Sequence, residues 1–96
     1  MSKRGWVYIM TNKPNGVLYI GVTADLPVRI YQHKTGQGSA FCRKYGLTRL
    51  VFVEEYPTIG EAIVREKAMK AWQRRWKIEL IGASNPDWSD LSGAMI

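Results

Sequence analysis

Ninety-six residues, 46% hydrophobic and 23% charged, describe one ordinary folded domain with a single modest core. Fourteen lysines and arginines against eight acids leave a charge of +6, which favours nucleic acid as a partner ahead of an anionic membrane surface. The apolar runs are of strand length, no signal-peptide core follows Met1-Ser2-Lys3-Arg4-Gly5, and one cysteine with one histidine gives neither a disulfide nor a zinc site. The expectation is a cytoplasmic protein without a membrane partner.

The first two elements are short aromatic and β-branched runs around Trp6-Val7-Tyr8 and Tyr19-Ile20-Gly21, with Asn12-Lys13-Pro14-Asn15-Gly16 between them. That pattern predicts a β-hairpin. Side chains alternate along a strand, so an odd-sum register puts both phenols and Gly21 on one face. Paired phenols beside a bare patch suit a reactive surface, although two half-buried sheet tyrosines would look the same.

A helix follows, with Asp25 as N-cap and Pro27 in the first turn, stopping at Gly36-Gln37-Gly38. Arg29 and His33 are four apart and therefore neighbours on one face of it. Phe41 to Tyr45 is a helical or irregular connector, and Arg49 to Tyr56 a third strand. Thr58 opens the longest helix, running from about Ile59 to Arg74-Arg75 and bending into a last helix through Ile81. Residues 85–96 are a loop or tail. The expected fold is α+β: a small three-stranded antiparallel sheet packed with helices in the order β-β-α-β-α-α, as one domain over 1–96.

On the long helix Ala62, Met69, Trp72, Trp76 and Leu80 form an apolar stripe, and Glu66 falls inside it. A carboxylate on a core-facing side needs an ion pair, hydrogen bonds or a metal; Lys70, at i+4, is one available partner. Lys67, Lys70, Arg74 and Lys77 flank Glu66 in a row that suits phosphates, or simply a solvated helix face. Cys42 is expected to pack as a small apolar residue.

Together these residues resemble the GIY-YIG nuclease superfamily. Tyr19-Ile20-Gly21 matches the second signature triplet in full. The first reads Trp6-Val7-Tyr8, keeping the tyrosine, with Gly5 one residue early. The resemblance continues through Arg29-Ile30-Tyr31-Gln32-His33, Ala62-Ile63-Val64-Arg65-Glu66-Lys67, Lys70-Ala71-Trp72-Gln73-Arg74 and a tail of the form Asn85-Pro86-Asp87-Trp88. It is nearest to small single-domain bacterial members related to the nuclease domain of the excision-repair incision subunit.

The resemblance implies an endonuclease that hydrolyses DNA phosphodiesters with one Mg²⁺ or Mn²⁺ ion. Glu66 then corresponds to the metal ligand, Tyr8 to the general base, and Tyr19 to the residue positioning water or phosphate. Arg29 corresponds to the stabiliser of phosphate charge and His33 to the partner of the tyrosine base. Gly21 and Asn85 are supporting positions, Asn85 with a turn role open to it as well. A free phenol titrates near 10, so a tyrosine base needs cationic help. No recognition helix, zinc module or aromatic stacking row is evident, so cleavage of branched, nicked or damaged DNA in repair or processing is expected by analogy, RNA remaining open. Two alternatives stand: a nucleic-acid-binding module that cuts poorly or not at all, and an interaction protein using exposed aromatics, Trp88 above all.

Overall fold

The two aromatic runs do form a hairpin. The computed structural model describes residues 3–94, in which β1 (Gly5–Thr11) and β2 (Leu18–Thr23) pair antiparallel, Tyr8 opposite Gly21 and Met10 opposite Tyr19. Positions 1, 2, 95 and 96 of the expected domain and tail lie outside the described residues. The turn closes because Asn15 takes a φ of 56°, Gly16 N–H donates to Lys13 O at 2.9 Å, and Val17 N–H donates to Asn12 Oδ1 at 3.0 Å. β3 (Arg49–Tyr56) adds antiparallel to the other side of β1, giving the order β2-β1-β3. A register shift between Ile9 and Met10 lets both Val51 and Phe52 turn to one core.

Helices cover both faces. α1 (Leu26–Lys34) and the short α2 (Ala40–Tyr45) lie over Tyr8 and Met10, burying Leu26, Ile30, Cys42 and Leu47 between them. α3 (Ile59–Lys70) and α4 (Arg74–Ser84) lie over Val7, Ile9 and Ile20, burying Ala62, Met69 and Ile81. The architecture is the α+β sheet-and-helix arrangement the pattern implies, in the order β-β-α-α-β-α-α because the Phe41–Tyr45 connector is a helix. Asp25, Ser39 and Thr58 each cap a helix start through a side-chain oxygen, as expected for Asp25 and Thr58.

Three expectations need correction. The long helix stops at Lys70, and α4 restarts at Arg74 after an extended Gln73. Neither glycine nor proline marks this break. Its cause is tertiary: Trp72 packs on the core with the Arg65 guanidinium 4.8 Å from its ring centre, and Arg65 is held by Glu54 at 3.0 Å. Trp76 is consequently 42% exposed rather than part of a buried stripe. Trp88, expected as an exposed contact residue, is buried in the α3–α4 core. That removes the main support for an interaction protein built on it.

The segment after α4 is pinned to β3. Asn85 donates through Nδ2 to Val51 O at 3.1 Å and to Ser89 O at 2.9 Å. Arg49 donates to Trp88 O at 2.8 Å, and Asp90 accepts from Leu50 N–H at 3.3 Å and pairs with Lys34 of α1 at 2.7 Å. These bonds satisfy backbone groups along β3 and tie α1, the helix carrying Arg29 and His33, to the sheet.

Candidate active site

Tyr8 is the hub. Its hydroxyl lies 2.8 Å from His33 Nε2 and accepts from Arg29 Nε at 3.3 Å. Arg29 and His33 reach it together because they are one turn apart on α1 and Leu26 and Ile30 bury that helix face. Gln32 braces the same guanidinium, accepting from Arg29 Nη1 at 3.1 Å. The Tyr8–His33 bond uses Nε2, and the buried Nδ1 has no hydrogen-bond partner among the described residues. The Tyr19 ring stands 6.4 Å from Tyr8 and 5.4 Å from His33, closing the cluster toward solvent.

Gly21 is not an open patch beside the phenols, as the sequence had implied. The Tyr8 ring occupies that space: a Cβ on Gly21 would lie 2.4 Å from both Tyr8 Cζ and Oη. Gly38 plays the matching part for the histidine, since a Cβ there would lie 2.5 Å from His33 Nδ1. Tyr8 and His33 are buried, 0% and 2% exposed, while Tyr19 is half-buried.

Burial sets the electrostatics. It pushes the Tyr8 phenol up to about 12, against the lowering effect of Arg29. Burial, and then the Arg29 charge, push His33 down to about 4, so its imidazole is neutral at pH 7. His33 is free to titrate near 6.5 in the unfolded chain, which therefore binds a proton that the native state refuses. Stability should be fully present above pH 6.5 and fall as pH drops toward about 4, by up to about 3 kcal/mol. Urea unfolding across that range should show the slope in the parent and lose it in His33→Gln. An equal slope in both would place the proton uptake elsewhere.

Glu66 lies on the other side of the sheet. α3 begins against Gly5 and reaches the Leu18–Ile20 stretch of β2 at Lys70, with Glu66 facing inward between Ala62 and Met69. The carboxylate is nearly buried, and its charged partner is Lys70 at 3.3 Å. Among the described residues no hydrogen bond or ion pair joins Glu66 to the Tyr8 cluster. The two halves meet at the β2 edge, where Leu18, Tyr19, Ile20, Phe41, Lys70 and Lys77 line an open groove of about 320 Å³. Tyr19 enters it from one face and Lys70 from the other.

The expected basic row is broken with the helix that was to carry it. Lys67 and Lys70 are exposed on α3, and Lys77 of α4 faces the groove with Nζ 3.5 Å from Lys70 O. Arg74 instead donates to the carbonyls of Asn15 and Gly16, at 2.8 and 2.6 Å, and so holds the hairpin turn. Asn85 is 7% exposed, with Nδ2 and Oδ1 both engaged by the segment it pins and by β3. Its side chain serves the turn role.

The model of the GIY-YIG catalytic domain matches residues 4–79. The chain belongs to the GIY-YIG family. A UPF0213 protein of Staphylococcus saprophyticus is 36% identical over 76 residues, covering 79% of this chain and 92% of that protein. UPF0213 proteins of Staphylococcus aureus strains match with the same identity and coverage. The solution NMR structure of the UPF0213 protein BH0048 from Bacillus halodurans superimposes with a TM-score of 0.57 at 29% identity, covering 96% of this chain and 97% of that one. No helix among the described residues of this GIY-YIG domain is long and apolar enough to cross a membrane.

Gln32, Gly38 and Phe41 join the site without a clear mark in the sequence. Gln32 could have been seen, since i and i+3 are neighbours on a helix. Gly38 read only as a helix stop. Phe41 gave no signal, because its place at the groove depends on how α2 packs on β2.

Proposed function

We propose that this GIY-YIG domain is a divalent-metal-dependent endonuclease that hydrolyses DNA phosphodiester bonds with a preference for DNA structure over sequence. We place it in repair or processing and relate it to the nuclease domain of the excision-repair incision subunit. The observation that carries the reading is the Arg29–Tyr8–His33 chain of contacts beneath a half-exposed Tyr19, in a chain whose family is a catalytic domain.

Glu66 fits a magnesium or manganese ion. It is a nearly buried carboxylate paired with Lys70, which lines the groove, and Mg²⁺ takes one or two carboxylates with waters and substrate phosphates. Among the described residues no three His, Cys, Asp or Glu side chains gather, which fits this oxygen-poor site and not a protein-caged metal. A bound ion would polarise the scissile phosphate and stabilise the departing oxygen.

The remaining roles belong to the chain. Arg29 is always charged, and its fork can span two phosphate oxygens as charge builds on them. Tyr8 fixes that fork by accepting from Nε, and His33 fixes Tyr8. Since Tyr8 has no exposed surface and its phenol sits near 12, its resting part is to position Arg29. Action as a base would require water to reach it. Tyr19 is the phenol that meets solvent and can hold water or phosphate. Lys67, Lys70 and Lys77 attract the strand.

The alternative, a binding module that does not cut, has one observation in its favour: Glu66 is already paired with Lys70. Magnesium-dependent cleavage of nicked and branched DNA separates the readings, with Tyr8→Phe as the variant that tests the cluster. Removal of that hydroxyl should slow single-turnover cleavage about a hundredfold or more and lower stability by about 1–3 kcal/mol. A parental rate in Tyr8→Phe would reduce Tyr8 to a core residue.

A further inference from the structure

Phe41 and Tyr45 are each 43% exposed, in a protein that buries Tyr8, Phe52 and Trp88. They are four residues apart on α2 and therefore on one side of it, with ring centres 4.9 Å apart. Phe41 also stacks on Tyr19 at 6.2 Å and 29°, so a row of rings runs from the cluster, along the groove, to the surface. Cations attend the row: Lys44 lies 5.3 Å from the Tyr45 ring centre, and Lys70 and Lys77 line the groove that Phe41 enters. Exposed rings at one end of a cationic groove match a nucleotide, which has an aromatic face and a negative charge on one unit.

We propose that Phe41 and Tyr45 form a stacking subsite for one unpaired base of the DNA strand whose phosphate lies in the Lys70–Lys77 groove. A base inside a duplex has both faces covered by its neighbours and shows proteins only its edges. An exposed ring is therefore of use to a base that is unpaired, frayed or turned out. The subsite rests on the nuclease reading and gives it a physical source of structure preference: DNA with an unstacked base beside a phosphate binds best.

The test separates binding from cleavage by working in EDTA. Fluorescence anisotropy would compare an oligothymidylate, the same backbone with abasic units, and a blunt duplex at matched low salt. The parent should bind the oligothymidylate roughly tenfold more tightly than the abasic strand. Phe41→Leu and Tyr45→Leu keep apolar bulk without the ring, and each should erase that difference while leaving the salt dependence unchanged. Lys77→Ala should weaken all three ligands alike and reduce the salt slope. Equal parental affinity for thymidine and abasic strands, binding to none of the ligands, or an undiminished preference in both leucine variants would overturn the subsite. Cleavage with magnesium alongside equal affinities would sink the subsite and leave the nuclease reading standing. Base preference without cleavage would do the reverse.

Discussion

Gly21→Ala is expected to abolish cleavage and to destabilise the fold by about 1–3 kcal/mol, the range for overpacking a filled core. The new methyl would fall 2.4 Å from Tyr8 Cζ and Oη. Neither side can yield easily. Gly21 is paired to Tyr8 in the hairpin register, and the Tyr8 hydroxyl is held at 2.8 Å from His33 and 3.3 Å from Arg29. Displacing the ring therefore breaks the contacts that orient the guanidinium, and a misplaced charge of that kind loses most of its effect on a reacting phosphate. Gly82→Ala is the control, because none of the described residues lies within 4 Å of a Cβ there and α4 should gain stability from the exchange. Urea unfolding and single-turnover cleavage of both variants check this. A Gly21→Ala protein with parental stability and rate would show that Tyr8 is free to move and that its position does not matter.

This dependence also explains what the sequence could show. The hairpin was legible because Asn-Lys-Pro-Asn-Gly between two alternating runs admits few other structures, and the register then forced Tyr8, Tyr19 and Gly21 to one face. Arg29 and His33 were legible as a helical pair, and Glu66 as a carboxylate out of place on an apolar stripe. What Gly21 is for was not legible, because space on a face is visible in a sequence but its occupant is not. The break between α3 and α4 failed for a related reason: Ala71-Trp72-Gln73 has good helix formers, and packing of Trp72 under Arg65 overrides them. That override carried Arg74 away from the expected phosphate row and onto the hairpin turn. The aromatic row was hidden as well, since Phe41 and Tyr19 become neighbours only when α2 lies over β2.

Glu66→Gln is expected to separate activity from binding and from stability. The exchange keeps size and hydrogen-bonding reach, so the fold should hold, and the lost ion pair with half-exposed Lys70 is worth under about 1 kcal/mol. It removes the negative charge paired with Lys70, so DNA binding should stay equal or tighten. It also removes the charge a divalent ion needs, and metal-assisted hydrolysis should fall by about a thousandfold or more. Opposite movements of binding and cleavage would be hard to produce by misfolding.

The most direct test is magnesium-dependent cleavage of nicked, branched and single-stranded DNA by the parent and Glu66→Gln at matched low salt, with binding measured beside it. Cleavage by the parent alone, with salt-sensitive binding by both, is the expected result. Equal cleavage by Glu66→Gln would contradict the metal assignment, and binding without cleavage by either protein would contradict the nuclease reading.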